Sequence, residues 1–377
     1  MAAARAADGP PPPPPAPVVP FGASWATSPY SMETHGPRVL GMAWTKDGKG
    51  GKTVLFIASA AALCTIRVVD PETGECLRSK RLNMWAYSAC AYDLADGTPV
   101  VAVGMHLGKI SVVRVDTLEE HCAAQSYGTV AALAISTISP GRHVLASIEH
   151  GNGAVYVWNV GDVFEPLTTL RWYEVHGLGE LSHARCVDVF AEEERVLVLH
   201  GLDYGAIVLS DKRRDEPVGM RIIARHATTV CSSVFLPRGG DEALRAMSAS
   251  EDNVVRVWAV SDGAVLFEKS AWYPYRAVPV FALNSEGTEV PAVISSDREH
   301  FYLWQVDRDD GECCRVIHCG MWNARPAICG AQDGTLMIAT ADKHYMNIQK
   351  LLIRRTKRAR PAAAVAEDKR ARGAGAA

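Results

Sequence analysis

The sequence predicts an all-β fold built from seven similar units of about 45 residues, and three observations carry that expectation. First, short β-rich segments recur at residues 65–70, 109–116, 154–159, 206–211, 254–259, 300–305 and 345–350. Aligned on one marker position they fall at 69, 113, 158, 210, 258, 304 and 349, with spacings of 44, 45, 52, 48, 46 and 45 residues. Second, Asp-Gly pairs at 96–97, 262–263, 310–311 and 333–334 supply the residues that close tight hairpins. Third, apolar residues nowhere keep the 3.6-residue period over the dozen or so positions that a helix-pair repeat requires.

Eight of the 21 prolines lie in the first 20 residues, a stretch with almost no large side chain to bury. Residues 1–20 are therefore expected to be disordered or extended, and the folded unit to occupy residues 21–352. Each unit reads as four strands: an early one such as 39–44, a continuous apolar one such as 100–103 or 196–199, the marker segment, and an extended stretch such as 74–79 or 264–268. The last unit supplies only three, at 327–330, 336–340 and 345–352. If such units are arranged as a ring, which is what the resemblance named below implies, the ring must close, because open first and last edges would leave backbone groups unpaired. The missing strand is expected from the N-terminal side, around residues 21–30. Residues 353–377 are mostly Ala, Arg, Lys and Gly, and are expected to form a disordered basic tail.

The formal net charge of -3 conceals a division. From Lys350 onward nine Lys and Arg face two acids, +7, which leaves -10 on residues 1–349. A body of that sign does not suit wrapping of nucleic acid, which is left only to the tail. The longest nearly apolar run, residues 54–64, is about half of the roughly 20 residues a membrane helix needs, so no membrane span is expected. The N-terminus lacks the apolar core of a signal peptide. Ten cysteines without a Cys-x-x-Cys pair read as reduced, intracellular residues.

Catalytic patterns are missing too. There is no Gly-x-Ser-x-Gly elbow and no His-Glu-x-x-His helix, so neither a catalytic residue nor a cofactor is expected. Gly51, Lys52 and Thr53 mimic the end of a phosphate loop, but Lys46 stands where that loop needs glycine and an apolar strand follows. The carboxylates at 192–194 and 309–310 sit at turns and read as solvated charge. Cys313, Cys314, His318 and Cys319 invite a zinc reading. On a strand, however, Cys313 and Cys319 point one way while Cys314 and His318 point the other, so no metal is expected there.

Residues 225–258 carry the most specific pattern: His226, then Ser248, Asp252 and Trp258 in the sequence Ser-Ala-Ser-Glu-Asp-Asn-Val-Val-Arg-Val-Trp. On these residues and the repeat spacing the chain resembles the WD40-repeat β-propeller family, over roughly residues 25–352. The resemblance implies an all-β, seven-bladed WD40-type β-propeller, in which His226, Ser248, Asp252 and Trp258 form a structural hydrogen-bonded chain within one blade. The repeats are irregular. None holds a Trp-Asp dipeptide, only positions 158, 258 and 304 of the markers are Trp, Asn152 replaces Asp, and Ser210 stands where Trp would.

The resemblance also implies that connections from the outer strand of one blade to the inner strand of the next open on one face. Those segments contain Trp85, Tyr87, Trp172, Tyr173, Trp272, Tyr275, Arg276, Trp322 and Arg325, residue types that dominate binding hot spots. They form either a rim that docks proteins or peptides, or wedges packed between blades. The 52-residue spacing places an insertion at 170–183 on the same face. In the tail, Lys357 and Arg358 followed by Lys369, Arg370 and Arg372 resemble a bipartite nuclear import signal, implying the nucleus, with the cytoplasm as a second location.

Together these readings give a non-enzymatic scaffold or adaptor for protein–protein interactions, within a nuclear multiprotein complex. Two alternatives remain. A cullin-4 ubiquitin-ligase substrate receptor would use a Trp-Asp-x-Arg ending, which Ser210, Asp211, Lys212 and Arg213 only approximate. A chromatin reader would assemble two or three of Trp85, Trp172, Trp272 and Trp322 around a methylated lysine of a histone peptide.

Overall fold

The computed structural model describes residues 26–33, 39–48, 53–59, 64–150, 154–171, 183–236, 243–270, 276–283, 289–296, 300–305, 313–318, 325–330, 335–341 and 345–352. These residues are all-β and form repeated four-stranded antiparallel sheets in a β-propeller-like architecture. β1 (Ala26–Glu33) joins a sheet completed far along the chain. β2 (Val39–Lys46), β3 (Thr53–Ser59), β4 (Thr65–Val69) and β5 (Cys76–Arg81) pair in that order. So do β6 (Ala86–Asp93), β7 (Pro99–Met105), β8 (Lys109–Arg114) and β9 (Glu120–Gln125). The next sheet holds β10 (Thr129–Ser139), β11 (Arg142–His150), β12 (Val155–Val160) and β13 (Phe164–Leu170). It is followed by β14 (Ala184–Glu192), β15 (Arg195–Leu202), β16 (Ala206–Arg213) and β17 (Gly219–Arg225). Then come β18 (Val230–Phe235), β19 (Arg245–Ser250), β20 (Val254–Ala259) and β21 (Val265–Ser270).

For the remaining strands the backbone pairing is described. β22 (Arg276–Leu283), β23 (Glu289–Ser296), β24 (His300–Gln305) and β25 (Cys313–His318) form one sheet. β26 (Arg325–Gly330), β27 (Thr335–Ala341) and β28 (Tyr345–Leu352) pair with β1 in the order β1-β28-β27-β26. The register runs from Ala26 opposite Lys350 to Glu33 opposite Tyr345. Relative to the expected span of 21–30, the strand lies nearer to Glu33. Pro29, which has no N–H to donate, falls within the irregularity between Ala26 and Tyr30 on an outer edge strand, where a missing donor is tolerated.

The second strands are continuous apolar runs because both of their faces are covered. β7 is buried at every position, β11 at all but its two end residues and β15 at all but Arg195. Alternation sends successive side chains to different joints. Val101, Val103 and Met105 pack with Phe56, Ile66 and Val68 of the preceding sheet, while Val100 and Ala102 pack with Val130, Leu145 and Trp158 of the following one. Likewise Val196 and Val198 face β11 and β12, whereas Leu197 and Leu199 face β18 to β20. The cores therefore lie between sheets rather than within any one of them. Fourth strands such as β5 and β9 are largely exposed, which is why their sequences are polar.

The first strands of successive sheets lie against one another: β2 on β6, β6 on β10, β10 on β14 and β14 on β18, then β18 on β22, β22 on β26 and β26 on β2. Two irregularities recur. The first strand bulges near its start at Leu40, Tyr87, Ala131, Arg185 and Cys231, and the third-to-fourth strand pairing shifts beside the marker position, as at Trp158 and Trp258. A bulge bends the strand and re-aims the extra side chain. In an antiparallel four-strand meander, the second-to-third hairpins and the links to the next sheet share one end, here the connection face. The other hairpins share the opposite end, here the turn face. No helix among the described residues is long and apolar enough to cross a membrane.

Candidate functional site

The four residues of the most specific sequence pattern are brought together. His226 Nδ1 lies 3.0 and 3.2 Å from the Asp252 carboxylate oxygens, and His226 Nε2 lies 2.8 Å from Ser248 Oγ. Trp258 Nε1 donates to the same Ser248 oxygen at 3.3 Å. One proton arrangement satisfies every atom: Nδ1–H donates to Asp252, Ser248 O–H donates to Nε2, and the indole donates to Ser248. Asp252 also accepts the N–H groups of Ala227 and Val254, at 2.9 and 3.0 Å. Burial opposes its charge, but these hydrogen bonds and His226 prevail and hold the carboxyl below its ordinary value. Burial pushes the His226 imidazole down despite Asp252, which keeps it neutral.

A serine, histidine and carboxylate in a row could be mistaken for a nucleophilic triad. Ser248 and Trp258 are 0% exposed, however, and the indole covers the hydroxyl that would have to attack. A substrate carbonyl cannot reach it, so the arrangement ties a loop to a sheet. Burial pushes the Cys90 thiol up to about 12 and Cys122 up to about 11, so neither of these two is an activated thiolate. Among the described residues no three His, Cys, Asp or Glu side chains converge as a metal site. Cys313 to His318 form a strand, and Cys319 lies outside the described residues.

The sequence pattern missed a second bond of the same kind. Trp158 Nε1 donates to Ser147 Oγ at 3.2 Å within the β10–β13 sheet. The signal was present, because Ser147 precedes Trp158 by nearly the interval that separates Ser248 from Trp258. In the β14–β17 sheet the corresponding places hold His200 and Ser210, both buried. Burial pushes His200 down to about 3, so it too is neutral.

On the connection face the candidate residues separate. Trp85 is 51% exposed, and its ring lies 5.8 Å from the His106 ring, to which the Tyr87 ring lies at 6.4 Å. His106 N–H donates to the Trp85 carbonyl at 2.9 Å, fixing the aromatic segment against the turn His106–Gly108. Arg276 and Arg325 are the first residues of β22 and β26. Trp172, Tyr173, Trp272, Tyr275 and Trp322 lie outside the described residues, as do Lys357, Arg358, Lys369, Arg370 and Arg372.

Sequence reasoning left out two exposed groups of this face, Leu107 at 64% and Tyr204 at 64%, while Tyr127, which stands in one of the aromatic connecting segments, is 89% exposed. Tyr127 N–H donates to Glu149 Oε1 at 2.7 Å, so its backbone is pinned while its ring stands in water. Arg185, a bulge residue, extends toward Asp203 with an N–O distance of 3.9 Å.

The turn face differs in character. Glu72, Glu75, Asp93, Asp96, Glu119 and Asp162 are exposed there. A cleft of about 400 Å³ between the β10–β13 and β14–β17 sheets has an apolar floor that includes Ile138, Leu167 and Val196. Its charges are already matched: Arg142 with Glu193, Arg214 with Glu194 and Arg195 with Asp211, at 2.8, 3.1 and 2.7 Å. Lys212 donates to the Glu216 carbonyl at 2.6 Å, and Arg213 lies 3.9 Å from Glu216. The Asp211 to Arg213 segment is thus engaged within its own sheet. No protein-family model matches the chain, and no curated protein matches it.

Proposed function

We propose that the chain is a seven-bladed WD40-type propeller acting as a non-enzymatic scaffold, docking protein partners on its connection face within a nuclear complex. The blade count rests on seven marker segments at near-constant spacing, joined with the succession of first-strand contacts that returns from β26 to β2. The observation that carries the functional reading is the exposure of Trp85 and Tyr127 on backbone held by hydrogen bonds to neighbouring elements. Large aromatic rings in water have an unfavourable contact with solvent that a partner relieves, and a pinned backbone loses little entropy when one binds. Exposure also favours recognition over wedging for these two residues, since a wedge between sheets would be buried. Nuclear delivery is assigned to the two basic clusters of the tail.

Affinity capture from nuclear extract tests this reading. The Trp85→Ala/Tyr127→Ala chain should recover partners about tenfold less well, the scale of a lost hot spot, with an unchanged melting temperature. Deleting residues 353–377 should move a fluorescent fusion to the cytoplasm without changing capture from whole-cell extract. Equal recovery by the double variant would refute docking on this face, and nuclear retention without the tail would refute the import role.

A further inference from the structure

We propose that the basic segment 354–360 folds back onto the turn face of its own chain. It lies across the β2–β5 and β6–β9 sheets, with its arginines and Lys357 on Glu75, Glu119 and the carboxylates beside them. This surface is at the opposite end of the sheets from the docking face, so the two can be occupied together.

The place where the chain leaves its last sheet is the first observation. β28 is the third strand of that sheet, and its final residue Leu352 stands opposite Thr335, the first residue of the second strand β27. Second strands begin, and third strands end, at the turn face. The chain therefore continues from the turn face into residues 353–377, which lie outside the described residues. β26 of the same sheet lies against β2, so the β2–β5 sheet borders this exit and the β6–β9 sheet comes next.

The second observation is where acid is placed. Glu75 and Glu119 hold the same position in these two sheets, the residue before the fourth strand, and both are exposed. Their carbonyls accept equivalent hydrogen bonds, from the Asp70 N–H at 2.9 Å and the Arg114 N–H at 3.0 Å. In the next three sheets that position holds Val163, Val218 and Ala264. Glutamate is not a residue type that tight turns select, and neither side chain forms an ion pair among the described residues. Local structure therefore does not account for the two acids.

The charge around them is of the same sign. Arg78 is engaged with Asp47 at 2.5 Å, Arg114 with Asp116 at 3.1 Å and Arg142 with Glu193 at 2.8 Å. Lys46 is exposed, and Lys80 donates to the Leu118 carbonyl at 2.8 Å. These two cations stand against the six exposed carboxylates of the turn face named above. The connection face does not compete for a basic segment, because Arg81, Arg171 and Arg225 are exposed there against Glu251.

The third observation is the reach and charge of the occupant. From Arg354 to Arg360 the sequence holds five cations and no acid. Extended chain rises about 3.3 Å per residue and packed sheets lie about 10 Å apart, so the stretch from Leu352 to Arg360 spans about two joints. Single surface ion pairs are weak and screened by salt, but the tether holds the segment at an effective concentration in the millimolar range. The same cluster carries the import reading, so an import receptor has to displace it from the turn face.

Carbodiimide coupling of the full chain tests the contact, since it joins a lysine amine to a carboxylate that touches it, and mass spectrometry of the monomer reads the products. Lys357 is expected to couple to Glu75, Glu119 or a neighbouring turn-face carboxylate at about 50 mM salt, and several-fold less at about 500 mM. Glu75→Lys/Glu119→Lys should remove most of this coupling and speed trypsin cleavage after Arg355 and Arg358 several-fold. The melting temperature should not change, because both side chains are exposed. Coupling of Lys357 to Glu251 as often as to Glu75, coupling only between two copies, or an unchanged cleavage rate in the double variant overturns the proposal. The import role stands or falls separately, on the location of the chain that lacks residues 353–377.

Discussion

The hydrogen-bonded chain from Asp252 to Trp258 is a buried polar network in which every member has a partner, the condition under which such networks hold a structure in one arrangement. Its proton arrangement requires a neutral His226, and burial supplies one. Because the folded chain holds His226 below its ordinary value while the unfolded chain does not, the unfolded state takes up the proton first as pH falls. The stability from this group is present above about pH 6.5 and is lost below it. Urea titrations at about pH 7.5 and about pH 5 should show a fall for the parent chain, and a smaller fall for His226→Gln. An equal fall in both would place the titration elsewhere. Trp258→Ala removes a fully buried indole and its donor, and should cost about 3–5 kcal/mol in the same titrations. A cost under about 1 kcal/mol would show that the joint collapses around the loss.

Between elements, the joints carry the stability, and one of them contains a titratable group. Asp188 on β14 receives the Phe235 N–H of β18 at 2.7 Å and the Val189 N–H at 3.0 Å, yet burial outweighs both and pushes its carboxyl up to about 7. The folded chain therefore keeps this proton to higher pH than the unfolded chain does. The stability it confers is full below the ordinary value of 3.8 and is lost as pH rises toward about 7, opposite in sign to His226. Asp188→Asn, which cannot ionise, should flatten the pH dependence of melting across that window. An unchanged slope would show that the carboxyl is solvated.

How far the elements were legible follows from the same physics. The marker segments at 65–70, 206–211 and 254–259 coincide with third strands, whose β-branched residues suit strand backbone and whose buried positions are apolar, so that they stand out from the polar fourth strands. The bulges at Tyr87 and Arg185 left no trace, since a bulge is a matter of register and almost any residue can occupy it. For the same reason Arg185 and the left-handed Leu107 were missed, although both lie on the face that the aromatic residues had singled out. Trp85 and Tyr87 were legible from residue type alone, whereas Ser147 was overlooked although its spacing to Trp158 nearly repeats that of Ser248 to Trp258, because no His and Asp accompany it to complete the pattern.

For the whole molecule, closure and docking are linked. A set of sheets that pack face to face is only as fixed as its weakest joint, and β1 supplies the strand that pairs β28. Deleting residues 26–33 should lower the melting temperature of the entire chain in one transition, by several degrees or more, since eight residues of strand pairing and an exposed edge are lost together. Two separate transitions, or none displaced, would mean that this strand is an appendage. A closed arrangement in turn holds the connection face still, so that a partner pays little to order it.

Hydrogen exchange compares the free chain with the chain in its captured complex, and reads the docking surface directly. The account predicts slowed exchange at residues 83–87, 106–108 and 125–128 on the connection face, with the turn-face hairpins at 94–98, 140–141 and 193–194 unchanged. Protection confined to those turn-face hairpins would contradict it.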